Sequence, residues 1–131
     1  MPLEPEDLEV LRGLNFAHFV TLNANGSPHS APLWIDVDDD GNVLVNSAVG
    51  RRKDRNIRRD PRVAVSVHRQ DDPYQWLSLQ GTVVSIETGE EAEAHIDFLN
   101  RKYHDGAAWE YVDGQQRVLY RIRADTVMRS G

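Results

Sequence analysis

Seven basic side chains crowd into twelve positions: Arg51, Arg52, Lys53, Arg55, Arg58, Arg59 and Arg62, opposed within the run only by Asp54 and Asp60. The segment therefore carries +5, while eight basic and nineteen acidic residues elsewhere carry −11, for a net charge of −6. A positive patch concentrated on an acidic protein suits one local anionic ligand. The negative balance elsewhere argues against general nucleic-acid binding. Gly50-Arg51-Arg52-Lys53 follows a short apolar stretch and opens a run with few helix breakers before Asp60-Pro61. Backbone N–H groups at a helix start point outward, and the dipole there favours an anion. Arginine adds bidentate hydrogen bonds to phosphate. The competing reading is a solvated basic helix face paired with the acidic surface.

Other chemistries find less support. Without cysteine the chain has no disulfide, thiolate metal site or thiol nucleophile. His18, His29, His68, His95 and His104 lack short paired spacing, so no metal is expected. Gly-x-Gly-x-x-Gly, Walker and Gly-x-Ser-x-Gly motifs are absent. Trp34, Trp76 and Trp109 read first as core or interface anchors. A length of 131 residues, 40% hydrophobic and 27% charged, predicts a single domain over 1–131. The acidic start lacks a secretion signal, and no run approaches the roughly 18 apolar residues of a membrane span, so a cytoplasmic protein is expected.

The elements that must position the basic run follow from periodicity. Leu8, Leu11 and Leu14 predict an N-terminal helix over Glu4–Leu14. Ala17–Leu22 and Pro28–Asp38 predict two strands around Asn25-Gly26, a hairpin signal in which both central positions tolerate positive φ. Val43–Ser47 is the third strand, completing a meander. A short basic helix, Gly50–Arg59, then leads to strands at Arg62–Arg69 and Trp76–Glu87, with Gly81 a bulge point. Thr88 and Glu91 suggest a capping box opening a helix over Gly89–Tyr103, and Arg117–Met128 is the last strand. The expected architecture is mainly β with short helices, a six-stranded antiparallel barrel.

The segment Gly50-Arg-Arg-Lys-Asp-Arg-Asn-Ile-Arg-Arg-Asp-Pro-Arg-Val63, between a short strand and an apolar one, resembles the pyridoxamine 5′-phosphate oxidase-like split-barrel superfamily. More narrowly it is similar to the flavin/deazaflavin oxidoreductases (group B) that use coenzyme F420. Three further stretches agree in order: Phe19-Val-Thr-Leu…Asn25-Gly-Ser-Pro-His29…Pro32-Leu-Trp34, Leu77-Ser-Leu-Gln-Gly81, and Asp97-Phe-Leu-Asn-Arg-Lys-Tyr103.

The resemblance implies an FMN-binding split barrel, a homodimer with cofactor sites at the interface. It implies that Arg51 and Lys53 contact the cofactor phosphate, with Arg52 at a further basic contact. It assigns Ser30, Pro32, Leu33 and Trp34 to the ring wall, Asn46, Ser47 and Ala48 to the strand end beside the ring, and Asn56 to the tail. The implied activity is hydride transfer from reduced F420 to an unsaturated small-molecule substrate. The alternatives are an oxidoreductase using flavin mononucleotide (FMN) and a non-catalytic F420 carrier; haem binders also share the scaffold. Seven cations exceed what one phosphate needs, and Arg55, Arg58 and Arg59 could line a groove for the acidic F420 tail. Tyr74, His68 and Tyr111 are possible proton donors, and Trp76 and Trp109 could wall the substrate pocket.

Overall fold

The computed structural model describes residues 3–130. Its elements, in chain order, are α1 (Pro5–Arg12), β1 (Phe16–Leu22), β2 (Pro28–Trp34), β3 (Asp36–Val37), β4 (Val43–Ala48), α2 (Arg52–Arg59), β5 (Arg62–His68), β6 (Trp76–Thr88), α3 (Glu90–Tyr103) and β7 (Arg117–Arg129). The strands form one antiparallel sheet in the order β2-β1-β5-β6-β7-β4-β3. Its two edge strands, β2 and β3, are separated in the chain by Ile35 alone. A sheet whose edges are covalent neighbours must curl until they nearly meet, which makes a barrel split along that seam.

The strand count is therefore seven rather than six, because Pro28–Asp38 is not one strand. The Ile35 N–H donates to Tyr103 Oη (3.2 Å), and its carbonyl accepts from Lys102 Nζ (2.8 Å). Two side chains of α3 thus take the backbone bonds that would have continued the ladder, and the chain changes partner. The expected meander fails for the same reason: β4 pairs with β7, at Val45↔Tyr120, and not with β2. The β1–β2 hairpin forms as expected, but only Gly26 uses positive φ (85°).

The Thr88–Glu91 capping box is absent. Thr88 remains in the β6–β7 ladder opposite Val118, Gly89 (φ 82°) is the N-cap, and Glu91 pairs with Arg121. Tertiary pairing has overridden a local signal. The bulge at Gly81 does form, with a register shift at Gln80/Gly81. A Cβ there would lie 2.5 Å from the Arg123 carbonyl oxygen, so only glycine permits this approach.

Phe19, Val45, Val65, Leu79, Tyr120 and Ile122 point inward from five strands, each at most 1% exposed. Burying such side chains stabilises the fold by about 1.5–3 kcal/mol each. Leu11 of α1 and Ile57 of α2 complete this core. Helix α3 packs outside the barrel, where Ala92 meets Leu44 of β4 and Leu119 of β7.

Candidate functional site

The basic run splits into two halves with different duties. At its start Gly50 adopts φ 90°, which turns the chain from β4 into α2. The Gly50 N–H donates to Asp54 Oδ2 (2.9 Å), Arg58 Nε donates to Oδ1 (3.0 Å), and the Tyr120 hydroxyl donates to Oδ1 (2.5 Å). Burial alone would raise the Asp54 pKa, but these hydrogen bonds outweigh it and hold the carboxyl below its ordinary value. The Tyr120 phenol is pushed up, first by burial and then by Asp54. Asp54 therefore bolts the turn and the helix start to β7.

The second half faces β1. Asn56 Nδ2 donates to Thr21 Oγ1 and Asn23 Oδ1 (both 3.0 Å), while its own Oδ1 accepts from Arg59 Nη2 (2.8 Å). Arg59 also reaches the Leu22 carbonyl oxygen, Arg55 the Gly50 carbonyl oxygen, and Arg52 Nη1 the Asn23 Oδ1 at 3.4 Å. Asn56 and Arg52 are thus directed to the hairpin loop, and Asn56 has no amide group left for a ligand.

Arg51 and Lys53 turn the other way. They line a cleft of about 300 Å³ with Pro32, Leu33 and Trp34 of β2, Asn46 of β4, and Arg117 at the start of β7. Ile96, Leu99 and Trp109 supply its apolar wall. Trp34 is fixed by stacking on Tyr103 at 5.2 Å. Trp109 is held by its backbone N–H on Asp97 Oδ1 (2.9 Å), and the Arg117 guanidinium lies 5.1 Å from its ring centroid.

Seven of the residues anticipated from sequence therefore meet here: Pro32, Leu33, Trp34, Asn46, Arg51 and Lys53 from the cofactor set, and Trp109 from the substrate-pocket set. The others lie elsewhere. Ser30 is exposed on β2 opposite Val20; Ser47 is buried on the opposite face of β4 from Asn46; Ala48 is buried beside Arg117 in the β4–β7 pairing. Tyr74, His68 and Tyr111 are exposed and outside the cleft, and Trp76 lies near α1, beside Glu6 and Glu9.

Arg117 was not legible as a site residue. From sequence it is only the polar residue that opens an apolar strand. In the fold it is 6% exposed, with Nε on Asn46 Oδ1 and Nη1 on Gln115 Oε1 (both 3.0 Å). Burial, reinforced by nearby Arg51, pushes its pKa down to about 10. The Lys53 ammonium is lowered by burial first, then by Arg51 and Arg117. Among the described residues none of these three cations has a carboxylate partner. Two partly desolvated cations, Lys53 and Arg117, with the exposed Arg51 beside them at one opening, are unfavourable until an anion joins them. The Trp109 indole N–H is a buried donor without a partner among the described residues. The donor set therefore fits the phosphate of a flavin-type cofactor, and the apolar wall fits its ring.

Curled sheet and cationic cleft together define a split-barrel, ligand-binding protein. Residues 3–129 match the family described as pyridoxamine 5′-phosphate oxidase, and the chain belongs to that family. It is 28% identical over 96 residues, 68% of each chain, to a 5a,11a-dehydrotetracycline/5a,11a-dehydrooxytetracycline reductase of Streptomyces rimosus subsp. rimosus. It is 30% identical to a solved F420 reductase, covering 95% of this chain and 98% of that one with a TM-score of 0.82. A conserved hypothetical protein of Mycobacterium tuberculosis has the same fold at 23% identity, with a TM-score of 0.74 over 99% of this chain and 85% of that one. No helix among the described residues is long and apolar enough to cross a membrane.

Proposed function

We propose that the protein is an F420-dependent reductase acting on an unsaturated small molecule. The observation that carries this reading is the convergence of Arg51, Lys53 and Arg117, without a carboxylate partner, on a cleft walled by Trp34, Leu33, Ile96 and Trp109. Both the 30%-identical structure and the curated relative are named as reductases, the first of them for F420.

When bound, reduced F420 supplies a hydride to an electron-poor double bond. The chain's own residues hold, orient and shield. Arg51, Lys53 and Arg117 hold the phosphate end by charge-assisted hydrogen bonds. Pro32, Leu33 and Trp34 form the ring wall, made rigid by the Trp34–Tyr103 stack. Ile96, Leu99 and Trp109 exclude water from the reacting face. A cleft of about 300 Å³ lies at the lower end of ligand-pocket sizes. In this reading a second copy of the chain supplies a further wall, and the working form is a homodimer.

One observation favours FMN as a second reading. Arg55, Arg58 and Arg59 are engaged with the Gly50 carbonyl oxygen, Asp54 and the Leu22 carbonyl oxygen, so the cations left at the cleft match one phosphate. Fluorescence titration separates the two: tight, saturable F420 binding with weak FMN binding supports the leading reading, and the reverse preference replaces it. Loss of both in Lys53→Ala and Arg51→Ala, each by about tenfold or more, ties binding to the cleft. Binding of F420 without substrate-dependent oxidation of its reduced form would make the protein a carrier.

A further inference from the structure

Behind the cleft runs a chain of four buried side chains from three strands and one helix. Arg117 Nε donates to Asn46 Oδ1 (3.0 Å), and Asn46 Nδ2 donates to the Ala92 carbonyl oxygen (2.9 Å). The same Nδ2 lies 3.3 Å from His95 Nδ1, and His95 Nε2 lies 3.3 Å from Asp36 Oδ2. All four residues are 6–9% exposed.

Hydrogen-bond chemistry assigns the direction. A carbonyl oxygen only accepts, so Ala92 fixes the NH₂ end of Asn46 on that side and leaves its oxygen for Arg117. The second Asn46 N–H then needs an acceptor, which makes His95 Nδ1 the unprotonated nitrogen. Its Nε2–H accordingly donates to Asp36. Asn46 has both hydrogens and its oxygen engaged, and both imidazole nitrogens are used.

We propose that His95 and Asp36 are positioning residues that act through Asn46 to hold the Arg117 guanidinium at the cleft without neutralising it. A carboxylate at position 46 would grip Arg117 more strongly but would cancel the charge an anion needs. An amide orients the guanidinium and leaves its charge intact. The relay's carboxylate, Asp36, stands two side chains away from Arg117. His95 is further fixed by stacking on Phe98 (centroids 6.5 Å apart, planes 17° apart), and Asp36 is on β3, next to the Ile35 seam. The relay thereby ties the Arg117 side chain to the placement of α3 and of the barrel edge. Its role in cofactor binding rests on the function proposed above.

The test reads Arg117 directly, from its Nε–H resonance in ¹⁵N-arginine-labelled protein, and reads affinity by F420 titration. His95→Leu keeps bulk and deletes both nitrogens; His95→Gln keeps an acceptor and a donor; Asp36→Asn leaves the packing in place. Solvent exchange of the Arg117 Nε–H is expected to speed up by about tenfold in His95→Leu, less in Asp36→Asn, and to return toward wild type in His95→Gln. F420 affinity is expected to fall by about tenfold in His95→Leu and to fall no further when His95→Leu is added to Arg117→Met. An unchanged exchange rate in both His95→Leu and Asp36→Asn overturns the proposal, as does an equal affinity loss in the Arg117→Met background. The resonance needs no cofactor. A protein that shows the exchange change yet binds no F420 removes the functional reading and leaves the relay standing.

Discussion

Two polar clusters lie three residues apart at the start of β7, and they are built on opposite terms. Around Tyr120, the Asp54 carboxylate receives a phenol, a backbone N–H and a guanidinium, so its charge and acceptor sites are matched. Around Arg117, three cations converge with no carboxylate among the described residues, and Arg117 is held by two amide oxygens and the face of Trp109. Both clusters draw on the same basic run. The satisfied cluster does structural work; the unsatisfied one gives up stability to keep a charge available. A cluster of cations that the chain leaves without a counter-charge is suited to an anionic ligand.

Breaking the first cluster has the largest effect. Asp54→Ala orphans the Tyr120 hydroxyl and the Gly50 N–H and is expected to destabilise the protein by about 3 kcal/mol, read from urea denaturation midpoints. Arg117→Met sharpens the contrast. It removes a buried cation that has no partner charge, so stability is expected to hold or rise by about 1 kcal/mol. F420 affinity falls by at least about tenfold in the same variant. A variant that loses stability and keeps affinity would make Arg117 structural.

A smaller effect is expected from Lys102, which bridges the Leu11 and Ile35 carbonyl oxygens and whose pKa burial pushes down to about 8. Its unfolded value is near 10.5, so between pH 8 and 10.5 the unfolded chain binds the extra proton. Stability contributed by this group therefore rises with pH across that window. Denaturation midpoints of wild type and Lys102→Met, compared at pH 7.5 and 10, should show the rise in wild type and its loss in the variant. The smallest effect is expected from Arg62→Ala. Arg62 belongs to the basic run but is paired on the surface with Asp60 (2.7 Å), so F420 affinity should match wild type. A measurable loss there would mean that charge density, rather than the cleft, binds the ligand.

Much of this arrangement was legible before the fold was known. Alternating Val63, Val65 and Val67 predicts β5, Val118, Tyr120 and Ile122 predict the inward face of β7, and Gly81 predicts a bulge; all three are present. Local patterns suffice there because period-2 burial is written into neighbouring residues. Position along the chain also marked Arg51 at the turn before α2 and Lys53 in the first turn of that helix.

The split at Ile35 could not be read in this way, because it is made by Tyr103 and Lys102 from the far side of the chain. The roles of Arg117, His95 and Asp54 were hidden for the same reason. An arginine, a histidine and an aspartate at those positions look the same whether they are solvated or buried. Residue types and their local periodicity determined that this chain makes a small antiparallel barrel with a cationic turn. Which of its charges are answered within the protein, and which are left open at the cleft, was decided by side chains brought together from 46, 95 and 117, because partnering across such distances exists only once the sheet has curled.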